Sequence, residues 1–307
     1  MTFPIRKLQA IFGDNLQENV RLSNYTTSRI GGPVPGLLSV NTLKDLSFAT
    51  NSLWSLDVPF RIIGSGSNIL VSDKGYEGII LVNRCHNIKI QSQDERPSIY
   101  AESGANFSNI ARQSALRGLT GMEWSSNIPG SIGGALYGNA GAFGNDVSHW
   151  LRSAQVLFKE QGEKTFTSEQ FGFTYRSSAF KREHSEVVIL SAVFNANHST
   201  REESWKILGE YTEKRQATQP AGASIGSTFK NPPGNYAGRL IEAVGLKGHA
   251  EGHAHFSQMH ANFIVNDGNS SAHEYLSLIK LAQTKVKEQF GIDLELEIEL
   301  LGEFEDE

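Results

Sequence analysis

The fold of this chain is constrained most by one glycine-dense passage, Ile128–Asp146 (IPGSIGGALYGNAGAFGND). The passage is too irregular to be a repeat and too apolar to be a solvated linker. The chain has 30 glycines among 307 residues, a share above the average of about 7%. Because glycine lets a backbone approach a ligand closely, we interpret the passage as part of a binding site.

A second glycine-rich loop, Gly64–Asn68 (GSGSN), lies between two strand-like runs. Taken alone, it is more typical of a tight turn than of a phosphate-binding loop. It is not the GxGxxG fingerprint, because Ile69 stands at the third glycine and a strand follows it. Together with Gly133-Gly134-Ala135, which we expect just ahead of a helix start, it suits the two ends of a pyrophosphate.

The hydrophobic periodicity predicts an α+β chain in three blocks, with the second closing at about residue 198 and a small polar linker following it. A polar helix is expected from about Glu202 to Ala217. The other predicted strands and helices of the first two blocks are Thr42–Leu56 (helix), Phe60–Ile63, Ile69–Ser72, Gly78–Val82, Ile88–Gln91, Ser98–Glu102, Phe107–Arg117 (helix) and Glu186–Phe194.

The last helix has the clearest signals of any element. Ser271 and Glu274 have the spacing of a capping box, and Gly291 stands where the helix is expected to stop. The tail Leu294–Gly302 (LELEIELLG) then alternates apolar and acidic residues, which predicts a half-buried strand.

Charge and composition exclude several classes of protein. Lys+Arg 28 against Asp+Glu 33 gives a net charge of −5, which offers no footprint for nucleic acid or an acidic membrane. The single cysteine, Cys85, cannot form an internal disulfide or a thiolate metal cluster. We find no export signal and no apolar run near the ~20 residues of a membrane span. We therefore expect a cytoplasmic protein with no metal site.

Several side chains suit chemistry, but each also has an ordinary structural interpretation. Ser227 and Lys230 lie in a loop, GSTFKNP, that could be a plain turn. Arg176, flanked by hydroxyls, suits a carboxylate or a phosphate, and it equally suits a surface ion pair. Glu297 lies on the acidic face of the tail, which by default is solvated. The histidines between 249 and 260 match no zinc spacing.

Several motifs, taken together in their order along the chain, indicate a protein family more specifically than any single motif does. The chain reads RIIGSGSNILVSD, GLTGMEWSSNIPGSIGGALYGNAGAFG, FTYRSSAFK, GSTFKNP, AGRLIEAVGLKG, HANFIVN and LELEIELLG. In this it resembles the UDP-N-acetylenolpyruvoylglucosamine reductases, FAD enzymes of peptidoglycan precursor synthesis, from about Asn24 to Gly302. The length resembles the shorter subtype, which lacks an inserted substrate-closing loop.

The resemblance implies a vanillyl-alcohol-oxidase-type FAD-binding fold in two subdomains plus a C-terminal α+β substrate-binding domain. We expect the first FAD-binding subdomain at residues 1–84, rejoined by a strand within 291–307, and the second at 85–198. The substrate-binding domain is expected at 199–290.

The resemblance also implies an activity. NADPH reduces FAD, and the reduced cofactor passes a hydride to UDP-N-acetylglucosamine enolpyruvate, which yields UDP-N-acetylmuramate for cell-wall biogenesis, cell shape and division. The small molecules are the expected partners, with no obligate protein partner. The alternatives are a flavin-dependent carbohydrate or alcohol oxidase of the same fold and a nucleotide-sugar binding protein that has lost catalysis.

Matching the family's motifs position by position implies site residues. Ser227 donates a proton as general acid, and Arg176 with Glu297 binds and polarises the substrate carboxylate. The implied FAD contacts are Gly64, Ser65, Gly66, Ser67, Asn68, Pro129, Gly130, Gly133, Gly134, Asn139 and Gly141. The implied substrate contacts are Tyr175, Lys230, Asn231 and His255. The last of these stands where the family often has a glutamine, and we expect it to substitute as a donor.

Overall fold

A computed structural model of the protein describes residues 3–304. Helices and strands alternate irregularly along the chain, as expected for an α+β protein. The helices are α1 (Ile5–Phe12), α2 (Leu43–Ser55), α3 (Phe107–Ala115), α4 (Ile132–Tyr137), α5 (Val147–Trp150), α6 (Ala179–Arg182), α7 (Arg201–Thr218), α8 (Ala237–Ala243) and α9 (Ala272–Phe290).

The strands are short, and many pair with strands distant in sequence. They are β1 (Leu16–Arg21), β2 (Pro33–Val40), β3 (Phe60–Ile63), β4 (Ile69–Val71), β5 (Ile79–Asn83), β6 (Ile88–Gln91), β7 (Ser98–Glu102), β8 (Leu119–Thr120), β9 (Gly141–Ala142), β10 (Asn145–Asp146), β11 (Leu151–Phe158), β12 (Gly162–Thr167), β13 (Val187–Asn195), β14 (Asn197–His198), β15 (Ala223–Ser227), β16 (Ala250–Glu251), β17 (Ala254–Phe256), β18 (Phe263–Asn266) and β19 (Glu299–Leu301).

Three larger sheets organise these strands. Their orders are β1-β2-β5-β3, β12-β11-β13-β7-β6 and β15-β18-β17-β16, and the last two are antiparallel throughout. The smaller pairs are β10-β9, β14-β8 and β19-β4, of which β19-β4 is parallel.

The chain divides into two compact units. Unit 1 comprises the chain up to Leu37, Ser65–Ile80 and the chain from Gln216; unit 2 comprises Leu38–Gly64 and Leu81–Arg215. Each unit has its own buried core. The core of unit 1 packs α8 and α9 around buried side chains such as Phe256 and Tyr275, and that of unit 2 is built around Phe107, Trp124 and Phe194.

The start of α9 is fixed by three side chains of unit 1. Ser271 and Glu274 form the predicted capping box, and Gly291 ends the helix in the left-handed conformation at φ 68°. The carboxylate of Asp73 also accepts hydrogen bonds from the amides of Ala272 (3.0 Å) and His273 (3.1 Å). Helix N-termini leave such amides without intrahelical partners, so the carboxylate completes the cap.

Two local expectations were wrong. Helix α4 begins at Ile132, so Gly133 and Gly134 lie in its first turn rather than ahead of it. The tail forms a strand over Glu299–Leu301 alone, because the residues before it hydrogen-bond to a loop instead of a neighbouring strand. The helices found in residues 3–304 are all too short or too polar to cross a membrane.

Candidate active site

Ser227 lies at the end of β15, at a bulge in unit 1. The register of β15 against β18 shifts between Ser224 and Ser227, and Ser227 is paired with Phe263. Gly226 has φ +76°, a conformation that a side chain would strain. The sequence therefore supplies glycine where the chain turns, and the serine that follows is left half-buried.

Glu297 is held beside the loop that carries Ser227. The Glu297 amide donates to the Thr228 carbonyl (2.9 Å), and Phe229 and Leu296 form a β-bridge. The Asn68 side chain donates to the Glu297 carbonyl (3.1 Å), and the Asn68 carbonyl accepts from the Glu299 amide (2.9 Å). In unit 1 the structure thus brings together Asn68, the Ser227 loop and Glu297, which are far apart in sequence.

The expected substrate contacts of unit 1 have partners within the protein. The Lys230 ammonium lies 3.2 Å from a carboxylate oxygen of Glu295. The Asn231 side-chain oxygen accepts from the Ala237 amide at the start of α8 (3.0 Å). The Nδ1 of His255, on β17, lies 3.3 Å from an oxygen of the Asp267 carboxylate.

The Gly64–Asn68 loop owes its glycines to close packing. A Cβ on Gly64 would lie 2.2 Å from the Ser131 hydroxyl, within unit 2. A Cβ on Gly66 would lie 2.2 Å from the Tyr25 carbonyl, within unit 1. Gly66 also has φ +61°, and Ser65 and Ser67 are half-buried. At both Gly64 and Gly66, the backbone of this loop therefore lies too close to neighbouring protein atoms to leave room for a side chain.

The glycine-dense passage combines packing positions with open ones. Gly130 has φ +133°, Pro129 is exposed, and the Gly133 amide donates to the Ser103 carbonyl (2.8 Å). Gly134 is exposed, and a Cβ there would meet only the Ser131 hydroxyl at 3.7 Å. The backbone at Gly134 is therefore open to a close-lying group.

Asn139 and Gly141 have packing roles in unit 2. Asn139 is 2% exposed, and its amide nitrogen donates to the Thr174 carbonyl (3.0 Å) and to Asp146 (3.3 Å). Its oxygen accepts from the Ser148 amide (3.1 Å). A Cβ on Gly141 would lie 2.6 Å from the Asn145 carbonyl.

Arg176 sits in a tight turn in a strained backbone conformation. Thr174 and Ser177 exchange two backbone hydrogen bonds (2.9 and 3.1 Å), and Arg176 between them has φ +54°. For a residue with a side chain this conformation costs on the order of 1–2 kcal/mol, and it persists where the surroundings impose it. Its guanidinium lies 5.4 Å from the ring centroid of the exposed Tyr175.

A second arginine of unit 2 adds positive charge near Arg176. Burial, and the charge of Arg176 as the smaller cause, lower the pKa of Arg215 on α7 to about 10. Two guanidinium groups that repel each other are stabilised by an anion between or beside them. Within unit 2 this arrangement favours an anionic ligand such as a carboxylate or phosphate.

Sequence reasoning gave no role to Arg215 or to Asn262. Arg215 lies in a polar helix whose pattern carries no site signal. Asn262 belongs to the HANFIVN motif, whose asparagine could have been singled out as a buried amide. Where the chain is described, no three His, Cys, Asp or Glu side chains gather in a way that could hold a metal ion.

Comparison with known proteins places this geometry in a family. A family model described as the C-terminal domain of UDP-N-acetylenolpyruvoylglucosamine reductase matches residues 217–301, and one described as an FAD binding domain matches residues 34–167. Together they confirm the predicted α+β FAD-binding fold with a C-terminal domain.

Full-length relatives agree with the domain matches. The UDP-N-acetylenolpyruvoylglucosamine reductase of Bacillus pumilus (strain SAFR-032) is 38% identical over 287 residues, covering 93% of this chain and 94% of the relative. That of Carboxydothermus hydrogenoformans is 39% identical over 289 residues, with 93% and 94% covered. The crystal structure of the Thermus caldophilus reductase has a TM-score of 0.79 at 32% identity, covering 93% of this chain and 99% of that one. This chain therefore belongs to the UDP-N-acetylenolpyruvoylglucosamine reductase family.

Proposed function

We propose that this protein reduces UDP-N-acetylglucosamine enolpyruvate to UDP-N-acetylmuramate, with NADPH as reductant and FAD as cofactor. Membership of the family supports the reaction. The reaction belongs to peptidoglycan precursor synthesis and so, in this proposal, to cytoplasmic cell-wall biogenesis, shape and division. A carbohydrate or alcohol oxidase is not favoured, because the relatives named above are reductases.

The observation that carries the proposal is the hydrogen bond from the Glu297 amide to the Thr228 carbonyl (2.9 Å). It holds the loop that carries the Ser227 hydroxyl beside the segment that carries the Glu297 carboxylate, both in unit 1. A proton donor and a polarising carboxylate are the two groups that reduction of an enol ether requires from the protein.

In the reaction, the substrate's carbon–carbon double bond takes up a hydride at its methylene carbon and a proton at the neighbouring carbon. Ser227 donates that proton. Arg176 and Glu297 bind and polarise the carboxylate, which stabilises the negative charge that develops before protonation. The Arg215 guanidinium adds to the positive potential at Arg176.

FAD, when bound, supplies the chemistry of accepting a hydride from NADPH and of passing it to the substrate. The exposed backbone at Gly134 fits a cofactor with phosphates, because no side chain there keeps a ligand away, and we propose that Gly64 and Gly66 contact the cofactor as well. The remaining proposed FAD contacts are Ser65, Ser67, Asn68, Pro129, Gly130, Gly133, Asn139 and Gly141.

For the nucleotide sugar we propose contacts from Tyr175, Lys230, Asn231 and His255. Lys230 and Asn231 suit the phosphates by their chemistry, and His255 serves as a donor. We propose that FAD is bound by two subdomains, at 1–84 and 85–198, the first of which is rejoined by a strand within 291–307. The nucleotide sugar is bound by a third domain at 199–290.

The test is an anaerobic visible spectrum of the purified protein. We expect a flavin spectrum that bleaches on adding NADPH and returns on adding UDP-N-acetylglucosamine enolpyruvate without oxygen. Bleaching without recovery on substrate contradicts the proposed acceptor. A protein that binds no FAD contradicts the proposal entirely and leaves a nucleotide-sugar binding protein.

A Ser227→Ala variant tests the proton donor. Reduction of the flavin by NADPH should survive, while its reoxidation by substrate should fall by about 10²–10⁴-fold, the contribution of general acid catalysis. Ser224→Ala, on the same strand, is the matched control and should leave both half-reactions unchanged. Equal losses in both half-reactions for Ser227→Ala would refute the assigned role.

A further inference from the structure

The loop that carries Ser227 is held by the side chain of Asn262. The Asn262 side-chain oxygen accepts from the Phe229 amide (3.0 Å), and its nitrogen donates to the Phe229 carbonyl (2.8 Å). The backbone carbonyl of Asn262 accepts from the Thr228 amide (2.8 Å). One asparagine therefore binds two successive residues that directly follow Ser227.

These contacts replace strand pairing where it stops. The pairing of β15 with β18 ends at Ser227 opposite Phe263, and Asn262 precedes Phe263. Beyond that point the primary amide of Asn262 satisfies both backbone groups of Phe229, as a partner strand would. Phe229 is 0% exposed and Asn262 is 3% exposed, so water does not supply these bonds.

The opposite edge of the same loop is held by the segment that carries Glu297. Lys230 donates its amide to the Glu295 carbonyl (2.9 Å), and Thr228 accepts from the Glu297 amide (2.9 Å). Asn262 on one edge and the Glu295–Glu297 segment on the other therefore set where Ser227 stands relative to Glu297.

Asn262 is itself oriented by its neighbour. The backbone amide of Asn262 donates to Nδ1 of the half-buried His260 (3.2 Å). This bond requires the tautomer of His260 that carries its proton on Nε2. The side chain that fixes Phe229 is therefore anchored at its own backbone.

We propose that Asn262 is a positioning residue for proton donation by Ser227. The inference rests on the proposed function, because it assigns Asn262 to the step in which Ser227 protonates the substrate. Proton donors must be held to within a fraction of an ångström, and a displacement of about 1 Å can cost 10²-fold in rate. Loss of the primary amide of the Asn262 side chain leaves Phe229 without these two hydrogen bonds. Through Thr228, Ser227 can then shift.

The experiment compares Asn262→Leu with Asn266→Leu in the FAD-loaded enzyme. Asn266 is the matched control, because it is the last residue of β18, the strand that Asn262 directly precedes, is 6% exposed and makes three side-chain hydrogen bonds, to Ser28, Gly268 and Ser270. Both half-reactions are followed by anaerobic stopped-flow and normalised to bound flavin. Asn262→Asp, which keeps the shape and the oxygen acceptor, is measured alongside and decides the question where Asn262→Leu yields too little folded protein.

We expect flavin reduction by NADPH to stay within about twofold of wild type in each variant. Reoxidation by substrate should fall by about 10–100-fold in the Asn262 variants alone, with a larger solvent isotope effect because proton transfer becomes more rate-limiting. In a Ser227→Ala background the Asn262 substitution should change the rate by less than about threefold, since its effect passes through the serine.

Equal losses in both half-reactions, or equal losses for Asn262→Leu and Asn266→Leu, would overturn the inference and leave a structural asparagine. Full additivity with Ser227→Ala would overturn it as well. Failure of the proposed function gives a different result, because the wild-type flavin would then not be reoxidised by the enolpyruvyl substrate at all.

Discussion

Replacing Gly64 by alanine should destabilise unit 2 through one contact. A Cβ at residue 64 would lie 2.2 Å from the Ser131 hydroxyl oxygen and 2.6 Å from the Ser131 Cβ. Gly64 does not have a positive φ, so the alanine backbone itself is unstrained. The whole penalty therefore comes from overlap with Ser131, and for a well-packed site we expect about 1–3 kcal/mol of lost unfolding free energy.

The same contact predicts a rescue. In Ser131→Gly both overlapping atoms are gone, and the nearest remaining atom, the Ser131 Cα, lies at an ordinary 3.8 Å. Ser131 is the N-cap of α4 and makes no capping side-chain bond, and glycine at an N-cap costs only about a few tenths of a kcal/mol. The double variant should therefore unfold within about 0.5 kcal/mol of wild type, which makes the two substitutions strongly non-additive.

Tryptophan fluorescence reports on the relevant unit. The four tryptophans are Trp54, Trp124, Trp150 and Trp205, and all of them belong to unit 2. Urea unfolding followed by this signal gives the free energies of the two single variants and the double variant. It is measured on protein freed of FAD, because Gly64 is a proposed FAD contact and a changed affinity would alter the stability that the cofactor adds.

Gly209→Ala is the control for this experiment. Gly209 lies within α7 in unit 2, and a Cβ there meets nothing within 4 Å. Alanine at residue 209 should raise the free energy of unfolding by about 0.5–1 kcal/mol, because alanine favours a helix interior over glycine by that amount. The reasoning is refuted if Gly64→Ala is as harmless as Gly209→Ala, or if it costs the same with serine and with glycine at residue 131.

Three further outcomes are expected. Burial is the main cause that lowers the pKa of His260; the unfolded chain then binds a proton that the native state does not, so stability should fall as the pH drops below about 6.5. Circular dichroism on urea series should show this fall weakened in His260→Asn, and an unchanged pH slope would contradict it. Cys85 is 0% exposed and burial raises its pKa to about 12, so a thiol reagent should label the denatured chain and spare the folded one; equal labelling rates would contradict its burial. Asp73→Ala removes the carboxylate that caps α9 and should cost about 1–2 kcal/mol in urea unfolding, whereas an unchanged midpoint would mean that the cap contributes nothing.

Elements with strong local signals could be predicted from the sequence. Helix α2 was expected over Thr42–Leu56 and is observed over Leu43–Ser55. The capping box of α9 was identified by two residues and is present in the structure. In these cases the residues that start and stop the helix lie next to it in sequence. A short stretch of sequence therefore contains all the residues that set the helix bounds.

Elements that depend on distant contacts could not be predicted in the same way. The six-residue helix α4 contains two glycines, which local propensity disfavours, and it forms because Ile132 and Leu136 are buried in the core of unit 2. The alternating tail predicted a strand from Leu294, but Glu297 bonds to Thr228 instead. Periodicity does not reveal which distant loop takes a residue's hydrogen bonds.

The candidate site shows the same limit. The motifs could single out Ser227, Arg176 and Glu297, and their roles stay predictions for the experiments above. The second arginine near Arg176 lacked a local signal, and the HANFIVN motif does not by itself show that Asn262 bonds to Phe229, because each of the two residues acts on one more than thirty positions away.

The pairing of β19 with β4 has a consequence for how the chain folds during synthesis. Glu299 is paired with Ile69, and Leu301 with Val71, so β4 leaves the ribosome long before the strand that completes it. The residues of unit 2 have all been translated by Arg215, while unit 1 still lacks α8, α9 and β19. Translation thus delivers the parts of unit 2 first, and β4 must stay soluble with an open edge until β19 has been translated.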